Sequence, residues 1–482
     1  MHEVEFAGVI LAAGKGTRMK SNLPKCLHEV CGLPMAEHLV RTLRLAGNAT
    51  PIVILGHGGD RLAAVLDSDV KIAWQLEQLG TGHATLMAKS FLNDYLGATV
   101  IVPGDCPLIK PESITKLIKT YSESKASAVV ASVIVDDPSG YGRIIRGEGG
   151  YFKHIVEEKD ATVKQKQIRE INVSVYCFDT QLLMQLLPKI QNVNVQREYY
   201  LTDIFEMIVA MNKLVVVEPF DDPEEFQGVN DRWQLALTEE SLRLKILKQH
   251  ALNGVTLQNL HSIFIGPEVQ LEHDCVILAG SQLKGRSKVG TGAVIGPNTV
   301  LSDTVVGTNS KILFSHCVRC EIGNDTTIGP FANIRPHSRI GNNCKLGNFV
   351  EVKNSTLDKN VSASHLSYIG DAYVGSASNI GAGTIFCNYD GYEKHQTEVG
   401  EGVFIGSNST LVAPRIIGNH AIIAAGSVVT KDVPEGAAAF GRAKTEIKEG
   451  WAIQWRNRKK DNIDRTKESN KHSAMEPNPV EK

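Results

Sequence analysis

The stretch IFIGPEVQLEHDCVILAGSQLKGRSKVGTGAVIGPNTVLSD, from Ile263 to Asp303, carries an aliphatic residue at every sixth position: Ile265, Leu271, Ile277, Leu283, Val289, Ile295 and Leu301. The spacing slips near Val306. It resumes through Ile322, Ile328, Ile334, Ile340, Leu346 and Val352, and runs again through Val399, Ile405, Leu411, Ile417, Ile423 and Val429. A short fixed period signals stacked repeats rather than a core assembled from distant pieces. Six residues fit neither the 3.6 of a helix nor the 2.0 of an isolated strand. They fit one flat face of a coil that turns one aliphatic side chain inward per face, which is a parallel β-helix built from hexapeptide repeats. The strands of a sandwich would not keep phase over so many steps. Glycines that follow the aliphatic residue, such as Gly266, Gly290 and Gly296, are expected to free the backbone at the corners.

Between Asn354 and Glu398 the period lapses, and on a solenoid lost phase marks an insertion, often a functional one. His365 and Tyr368 lie here, with Asn379, Gly381-Ala382-Gly383 and Cys387-Asn388-Tyr389-Asp390-Gly391, the last reading as a projecting loop. A neutral histidine is the usual base for taking a proton from an amine that attacks a thioester. A lone histidine is more often structural, but the polar cluster around His365 in an otherwise aliphatic coil favours the catalytic reading.

Upstream, Phe6–Ala12 is an apolar run of the kind buried in a parallel sheet, and it ends in Gly14-Lys15-Gly16-Thr17-Arg18-Met19. A glycine turn after a strand can face backbone N–H groups toward a phosphate. The spacing is neither that of a P-loop nor that of a dinucleotide fingerprint. Arg18 and Lys25 beside this turn suit a triphosphate, and equally read as two solvated cations. Further strands at Ile52–Leu55, Thr99–Val102 and Ala128–Val135 alternate with helix-length segments, which predicts a mainly parallel, Rossmann-like α/β sheet. Ligands in such sheets sit beyond the carboxyl ends of the strands. Asp105 follows the second of these strands, where a carboxylate can hold Mg²⁺ against phosphate oxygens or simply form a turn. Gln75 and Gly80-Thr81-Gly82 form a loop able to read a base through hydrogen bonds.

Leu11-Ala12-Ala13-Gly14-Lys15-Gly16-Thr17-Arg18-Met19 followed by Pro24-Lys25 resembles the signature of sugar-1-phosphate nucleotidyltransferases. Joined to Glu77-Gln78-Leu79-Gly80-Thr81-Gly82-His83 and the hexapeptide coil, it resembles the bacterial family that combines N-acetylglucosamine-1-phosphate uridyltransferase with glucosamine-1-phosphate N-acetyltransferase. The likeness runs from about Phe6 to Trp451.

The resemblance implies that Leu11, Ala12, Gly14, Gln75, Gly80 and Thr81 hold the uridine of UTP and that Arg18 and Lys25 meet its phosphates. It implies that Asp105 and Asn230 bind Mg²⁺, and that Gly140, Glu157 and Asn172 contact the sugar. In the coil it makes His365 the base, gives Arg335 and Lys353 the sugar phosphate, and has Tyr368, Asn379, Asn388 and Tyr389 orient sugar and thioester. Ala382, Ser407, Ala425 and Arg442 would line the acetyl-CoA groove with Asn388 and Tyr389. It also supplies the left hand of the coil, against the usual right-handed crossover, and a homotrimer with the acetyl site between subunits. Three residues depart from the family pattern. Pro103 precedes Gly104-Asp105, Ser174 stands where Asn-Thr-Gly usually ends, and Ser364 replaces a glycine before His365.

The remaining features bound the reading. At 482 residues the chain exceeds one ordinary domain. The expected division is a uridyltransferase domain over 1–229, a helical linker over 230–253, a left-handed β-helix acetyltransferase domain over 254–450 and a mostly disordered tail over 451–482. Charged residues make up 22% and the net charge is −2. That balance argues against nucleic-acid partners and stable membrane association. No apolar run is long enough to span a bilayer, and MHEVEFAGVILAAG lacks the basic start of a signal peptide. Nine scattered cysteines suit reduced thiols in the cytoplasm. The single Cys317-x-x-Cys320 lacks the second pair a zinc site needs, and reads as two thiols on one rung.

Overall fold

The computed structural model describes residues 5–56 and 58–473. The N-terminal sheet contains β1 (Phe6–Ala12), β2 (Ile52–Leu55), β3 (Lys71–Trp74), β4 (Ala98–Pro103), β5 (Ala128–Ile134), β6 (Gly142–Arg146), β7 (Phe152–Val156), β8 (Glu170–Asp179) and β9 (Val215–Phe220). Its order is β9-β5-β8-β4-β1-β2-β3, with β6 and β7 added at one side as a hairpin on β8. Neighbouring residues of β1 point to opposite faces and both are buried. Ile10 joins a core with Leu39, Leu43, Ile114 and Leu117 from the helices Met35–Leu45 and Pro111–Ser124. Val9 joins a core with Leu183, Ile204 and Ile208 from helices on the other face. Burial on both faces is why this strand reads as a continuous apolar run. β8 runs antiparallel to β4 and β5. Strand direction depends on the tertiary partner, so the local pattern does not announce it.

A 21-residue helix, Arg232–Leu252, links the halves, capped by the Asp231 carboxylate accepting from Gln234 N at 2.8 Å. Its Leu247 enters the coil's core, and its buried Arg243 donates to the carbonyls of Leu260 (2.6 Å) and Ile263 (2.9 Å). The helix therefore closes the first turn of the coil as well as connecting to it. Arg41 to Glu268, at 3.1 Å, adds a direct bridge between the halves.

The coil is a left-handed parallel β-helix of three sheets with 11, 10 and 9 strands. Inward residues stack in register, as in Ile265↔Leu283↔Leu301↔Cys317↔Ile334↔Val352↔Ile369. Cys317 thus supplies the inward side chain where the spacing slips, because corners there lose one residue. The lapse expected across Asn354–Glu398 is smaller than the sequence implies. Leu357, Ala363, Ile369, Val374, Ile380 and Phe386 are all buried and keep the stack going. Only the segment between Cys387 and Thr397 leaves the coil. Shortened corners and the unusual inward residues Ala363 and Phe386 hide the phase.

Glycine meets the expectation only in part: Gly296 takes positive φ, while Gly266 and Gly290 do not. Many corner residues with positive φ are not glycine but Asn309, Asn343, Asn360 and their counterparts, which tolerate the left-handed region through their short polar side chains. Gly406 has ordinary φ, but a Cβ there would collide with the Ala425 amide of the next turn. Its role is close approach.

The tail differs as well. Trp451–Ser473 forms an exposed helix with Trp451 and Trp455 stacked at 6.4 Å, over a stretch free of proline and glycine. The remainder of the expected disordered tail lies outside the described residues. Among those described, no helix is long and apolar enough to cross a membrane.

Candidate functional site

The β1–β4 pair positions the first site. Gly104 N donates to Leu11 O at 2.9 Å, and a Cβ on Gly104 would lie 2.7 Å from that oxygen, so Asp105 is carried to the sheet's carboxyl edge beside Leu11 and Ala12. Pro103 costs the β1–β4 ladder nothing, since the bond at that end belongs to Gly104, and β4's pairing with β8 stops at Ile101↔Tyr176. Gly16 sits at φ +60 with the Lys25 Cβ only 2.6 Å from where its own Cβ would be. The glycine turn therefore both bends the chain and makes room for Lys25.

Arg18, Lys25, Asp105 and Asn230 converge. Lys25 Nζ pairs with Asp105 Oδ2 and donates to Asn230 Oδ1 at 2.9 Å, while Arg18 donates to the same Asn230 oxygen at 2.8 Å. Val229 N donates to Asp105 O at 2.9 Å and fixes the two segments together. The carboxylate and carboxamide oxygens thus meet at one point already filled by an ammonium. These hard oxygens are the pair able to hold a small divalent cation, although no group of three or more His, Cys, Asp or Glu is gathered anywhere among the described residues. The flanking thiols are inert at neutral pH: burial, with the nearby Asp105 charge, pushes Cys26 up to about 12 and Cys106 well above its ordinary value.

Gln75 is buried and donates to Gly80 O at 3.0 Å. The loop it supports is held by a strap that no sequence pattern marks. Tyr199 N donates to Leu79 O (2.8 Å), Gly82 N to Tyr199 O (2.8 Å) and Leu201 N to Thr81 Oγ1 (3.0 Å). The strap's next residue, Thr202, donates to Glu157 Oε1 at 3.1 Å. Burial raises Glu157 above the usual carboxylate range, with Thr202 pulling the other way. Glu157 and Asn172 come together around Gly142, whose missing Cβ would lie 3.4 Å from Glu157 Oε2 and 3.5 Å from Asn172 Cβ. Gly140 sits nearby in the chain at φ +86 with open space around it. Ser174 occupies φ +61 at a bulge in β8, and its N–H donates to Asn172 Oδ1 at 3.0 Å. The backbone shape that favours glycine is therefore kept with serine in place.

In the coil, register sets the second site. Ala363, Ile380, Ile405 and Ile423 stack inward, and two residues past each stand His365, Ala382, Ser407 and Ala425. These four share one corner column on successive turns. The Arg442 side chain lies 3.9 Å from the position a Cβ would take on Gly426, next to this column. Ser364 alternates with buried Ala363 and faces outward. On the following face Arg335 and Lys353 are neighbours in one column, which continues to Gly370. Arg335 pairs with Glu351 at 2.8 Å and Lys353 with Asp371 at 3.3 Å. A Cβ on Gly370 would collide with Tyr368 Oη, so the tyrosine lies over that gap beside Lys353. Asn379 sits between Ser362 and Phe404 on the His365 face. Asn388, buried, opens the projecting loop, whereas Tyr389 is 60% exposed with its hydroxyl on Gly391 O at 2.6 Å. Burial pushes Asp371 upward, but hydrogen bonds from Asn354, Asn388 and Lys353 outweigh it and hold the carboxyl below its ordinary value.

Comparison with known proteins gives the same division. The MobA-like NTP transferase domain family matches residues 8–143, and the bacterial transferase hexapeptide repeats match residues 319–354 and 396–431. The chain is 43% identical over 458 residues to "Bifunctional protein GlmU" of Clostridioides difficile (strain 630), covering 95% of this chain and 99% of that one. It is 44% identical over 444 residues to the protein of the same name from Carboxydothermus hydrogenoformans, covering 92% and 99%. With that from Streptococcus thermophilus (strain ATCC BAA-491 / LMD-9) the identity is 45% over 446 residues, covering 92% and 97%. The chain belongs to the bifunctional GlmU family, enzymes that join a nucleotidyltransferase domain to a hexapeptide acetyltransferase coil.

Proposed function

We propose that the coil acetylates glucosamine-1-phosphate from acetyl-CoA and that the N-terminal domain then transfers UMP from UTP to the resulting N-acetylglucosamine-1-phosphate, releasing pyrophosphate and making UDP-N-acetylglucosamine, a cell-wall precursor. The observation that carries this reading is that one chain gathers Arg18, Lys25, Asp105 and Asn230 at a sheet's carboxyl edge and sets His365 on the corner column of Ala382, Ser407 and Ala425.

In the acetyl step His365 takes the proton of the attacking amine. Arg335 and Lys353 grip the sugar phosphate, Tyr368 and Asn379 orient the ring, and Ala382, Asn388, Tyr389, Ser407, Ala425 and Arg442 receive acetyl-CoA. In the uridyl step Leu11, Ala12, Gly14, Gln75, Gly80 and Thr81 receive the uridine, and Gly140, Glu157 and Asn172 the sugar. The sugar phosphate oxygen attacks the α-phosphorus in line while Arg18 and Lys25 balance the charge that moves to pyrophosphate. Asp105 and Asn230 would hold Mg²⁺, which when bound neutralises and aligns the phosphates.

A homotrimer is supported by an exposed apolar ladder beside the His365 column. Phe331 is 54% exposed and Phe349 58% exposed. Their rings stack with centroids 5.4 Å apart. Phe314 and Leu366 extend the row, and a contiguous exposed apolar patch of this kind marks an interaction surface. Nine free cysteines suit a reducing compartment such as the cytoplasm.

The test is a coupled assay with glucosamine-1-phosphate, acetyl-CoA, UTP and Mg²⁺, read by product mass. His365→Ala should abolish acetylation and spare uridyl transfer to N-acetylglucosamine-1-phosphate, and Asp105→Ala should do the reverse. Unchanged uridyl transfer in Asp105→Ala would overturn the metal assignment, and unchanged acetylation in His365→Ala the assignment of the base.

A further inference from the structure

The acetyl-transfer half holds one carboxylate that neither the repeat pattern nor the family likeness singled out. Asp371 occupies a coil corner at φ +50, between the strands Tyr368–Gly370 and Ala372–Val374. Its Oδ1 accepts from Asn354 Nδ2 at 2.6 Å. Its Oδ2 accepts from Asn388 Nδ2 and faces Lys353 Nζ at 3.3 Å. Its backbone is engaged on both sides: N–H donates to Lys353 O at 3.0 Å, and C=O accepts from Thr397 N at 3.2 Å. The side chain is 11% exposed and that of Lys353 18% exposed. At that depth each charge depends on the other for its partner.

Asn388 is the first residue of the segment that leaves the coil, and Thr397 is where the chain re-enters it. A single residue therefore clasps both ends of the projecting loop and holds the ammonium on the neighbouring turn. Within the loop, Asp390 accepts from the N–H groups of Tyr392 and Glu393, both at 2.8 Å, and meets His395 at 2.7 Å. Those contacts stiffen the tip without attaching it to the coil. Lys394, on the same loop, lies close enough to Lys353 for the two ammonium groups to perturb each other, Lys394 downward. Loop and phosphate-gripping lysine thus share an electrostatic neighbourhood, and the Asp371 carboxylate lies within it, paired to Lys353.

We propose that Asp371 is a positioning residue of acetyl transfer, clasping the base of the 388–396 loop against Lys353 so that the thioester side and the phosphate grip are set together. This rests on the roles of Lys353 and Asn388 given under Proposed function. Two substitutions separate its two duties. Asp371→Asn keeps an oxygen for Asn388, since the Asn354 carboxamide can flip to accept, but removes the charge facing Lys353. Asp371→Ala removes both.

The experiment measures kcat and both KM values of acetyl transfer for the full-length protein, the two Asp371 variants and Lys353→Ala, with uridyl transfer and the thermal midpoint as controls for folding. Asp371→Asn should raise KM for glucosamine-1-phosphate several-fold with KM for acetyl-CoA within about twofold of the parent. Asp371→Ala should raise both by about tenfold, lower kcat, and speed limited proteolysis within residues 388–396, while uridyl transfer is unchanged. A thermal midpoint that falls while both KM values and kcat stay at the parent's would show a purely structural ion pair and overturn the proposal. If Asp371→Ala does not fold, Asp371→Asn alone decides, its split between the two KM values being the prediction. An unaltered sugar-phosphate KM in Lys353→Ala would instead sink the underlying assignment of Lys353. A raised KM in Lys353→Ala beside unaffected Asp371 variants would sink this proposal only.

Discussion

Lys25 Nζ and Asn230 Oδ1 lie 2.9 Å apart although 205 positions separate the two residues. The same oxygen takes a hydrogen bond from Arg18, so one carboxamide orders both cations of the site. Asn230→Ala should therefore lower kcat/KM of uridyl transfer by about 10²-fold, in line with the loss of a preorganised polar group. Acetyl transfer by the same preparation should not change, and pyrophosphate release beside CoA release checks both.

Gly16→Ala should harm the same reaction by a different route. A left-handed backbone disfavours any side chain by about 1 kcal/mol or more. The glycine's φ is +60, and the new Cβ would meet the Lys25 Cβ at 2.6 Å. A thermal midpoint lowered by a few degrees, with a larger proportional loss of uridyl transfer, is the expected outcome; full activity would show that Lys25 has room to move.

Thr202 ties the strap behind the Gly80–Thr81 loop to Glu157. Thr202→Val removes the hydrogen bond that draws Glu157 back toward its ordinary value, so its carboxyl should rise further. The acidic limb of the pH profile for N-acetylglucosamine-1-phosphate should move to higher pH and its KM rise on that limb, with KM for UTP unaltered. Steady-state kinetics from about pH 5 to pH 8 read this directly.

Asp203 is raised to about 6 by burial and by the neighbouring Glu206, Glu157 and Asp160 charges. A carboxyl whose folded value exceeds its unfolded one favours the fold when protonated. Its contribution is therefore present below the ordinary value of 3.8 and is lost as pH rises through about 6. Asp203→Asn should accordingly stabilise the protein at about pH 7.5 by up to about 1 kcal/mol, a figure reduced for solvent screening because the group is partly exposed, and should change little at about pH 4. Thermal unfolding at the two pH values tests the sign.

The residues that announce themselves in the sequence do so for physical reasons. Inward aliphatic side chains recur because each face of the coil offers one interior position, so the period exposes the fold directly. The period fades where Cys317 and Ala363 fill that position and where corners shorten, since those residues carry no aliphatic signal even though they are equally buried. The linker helix was legible from its unbroken composition, whereas the Asp231 cap emerged only with the structure. The Arg18, Lys25 and Asp105 cluster was suggested by the glycine turn and strand end, but the approach of Asn230 from beyond the sheet depended on the family likeness. The Tyr199–Thr202 strap and Asp371 stayed hidden. Their contacts are made across long sequence separations, and neither segment carries a spacing that marks chemistry.

The corner column of His365, Ala382, Ser407 and Ala425 has an evolutionary consequence. Each turn advances the chain by about 4.8 Å, so the reach between His365 and the far end of the column is counted in whole turns. A duplicated or deleted turn nearer the linker helix would move the N-terminal domain along the prism and leave the acetyl chemistry untouched. A single inserted residue inside a strand would turn the side chains after it to the wrong side until a corner absorbed the change. Length in this half of the protein is free to drift at corners, in projecting loops or by complete turns, and is fixed within each strand.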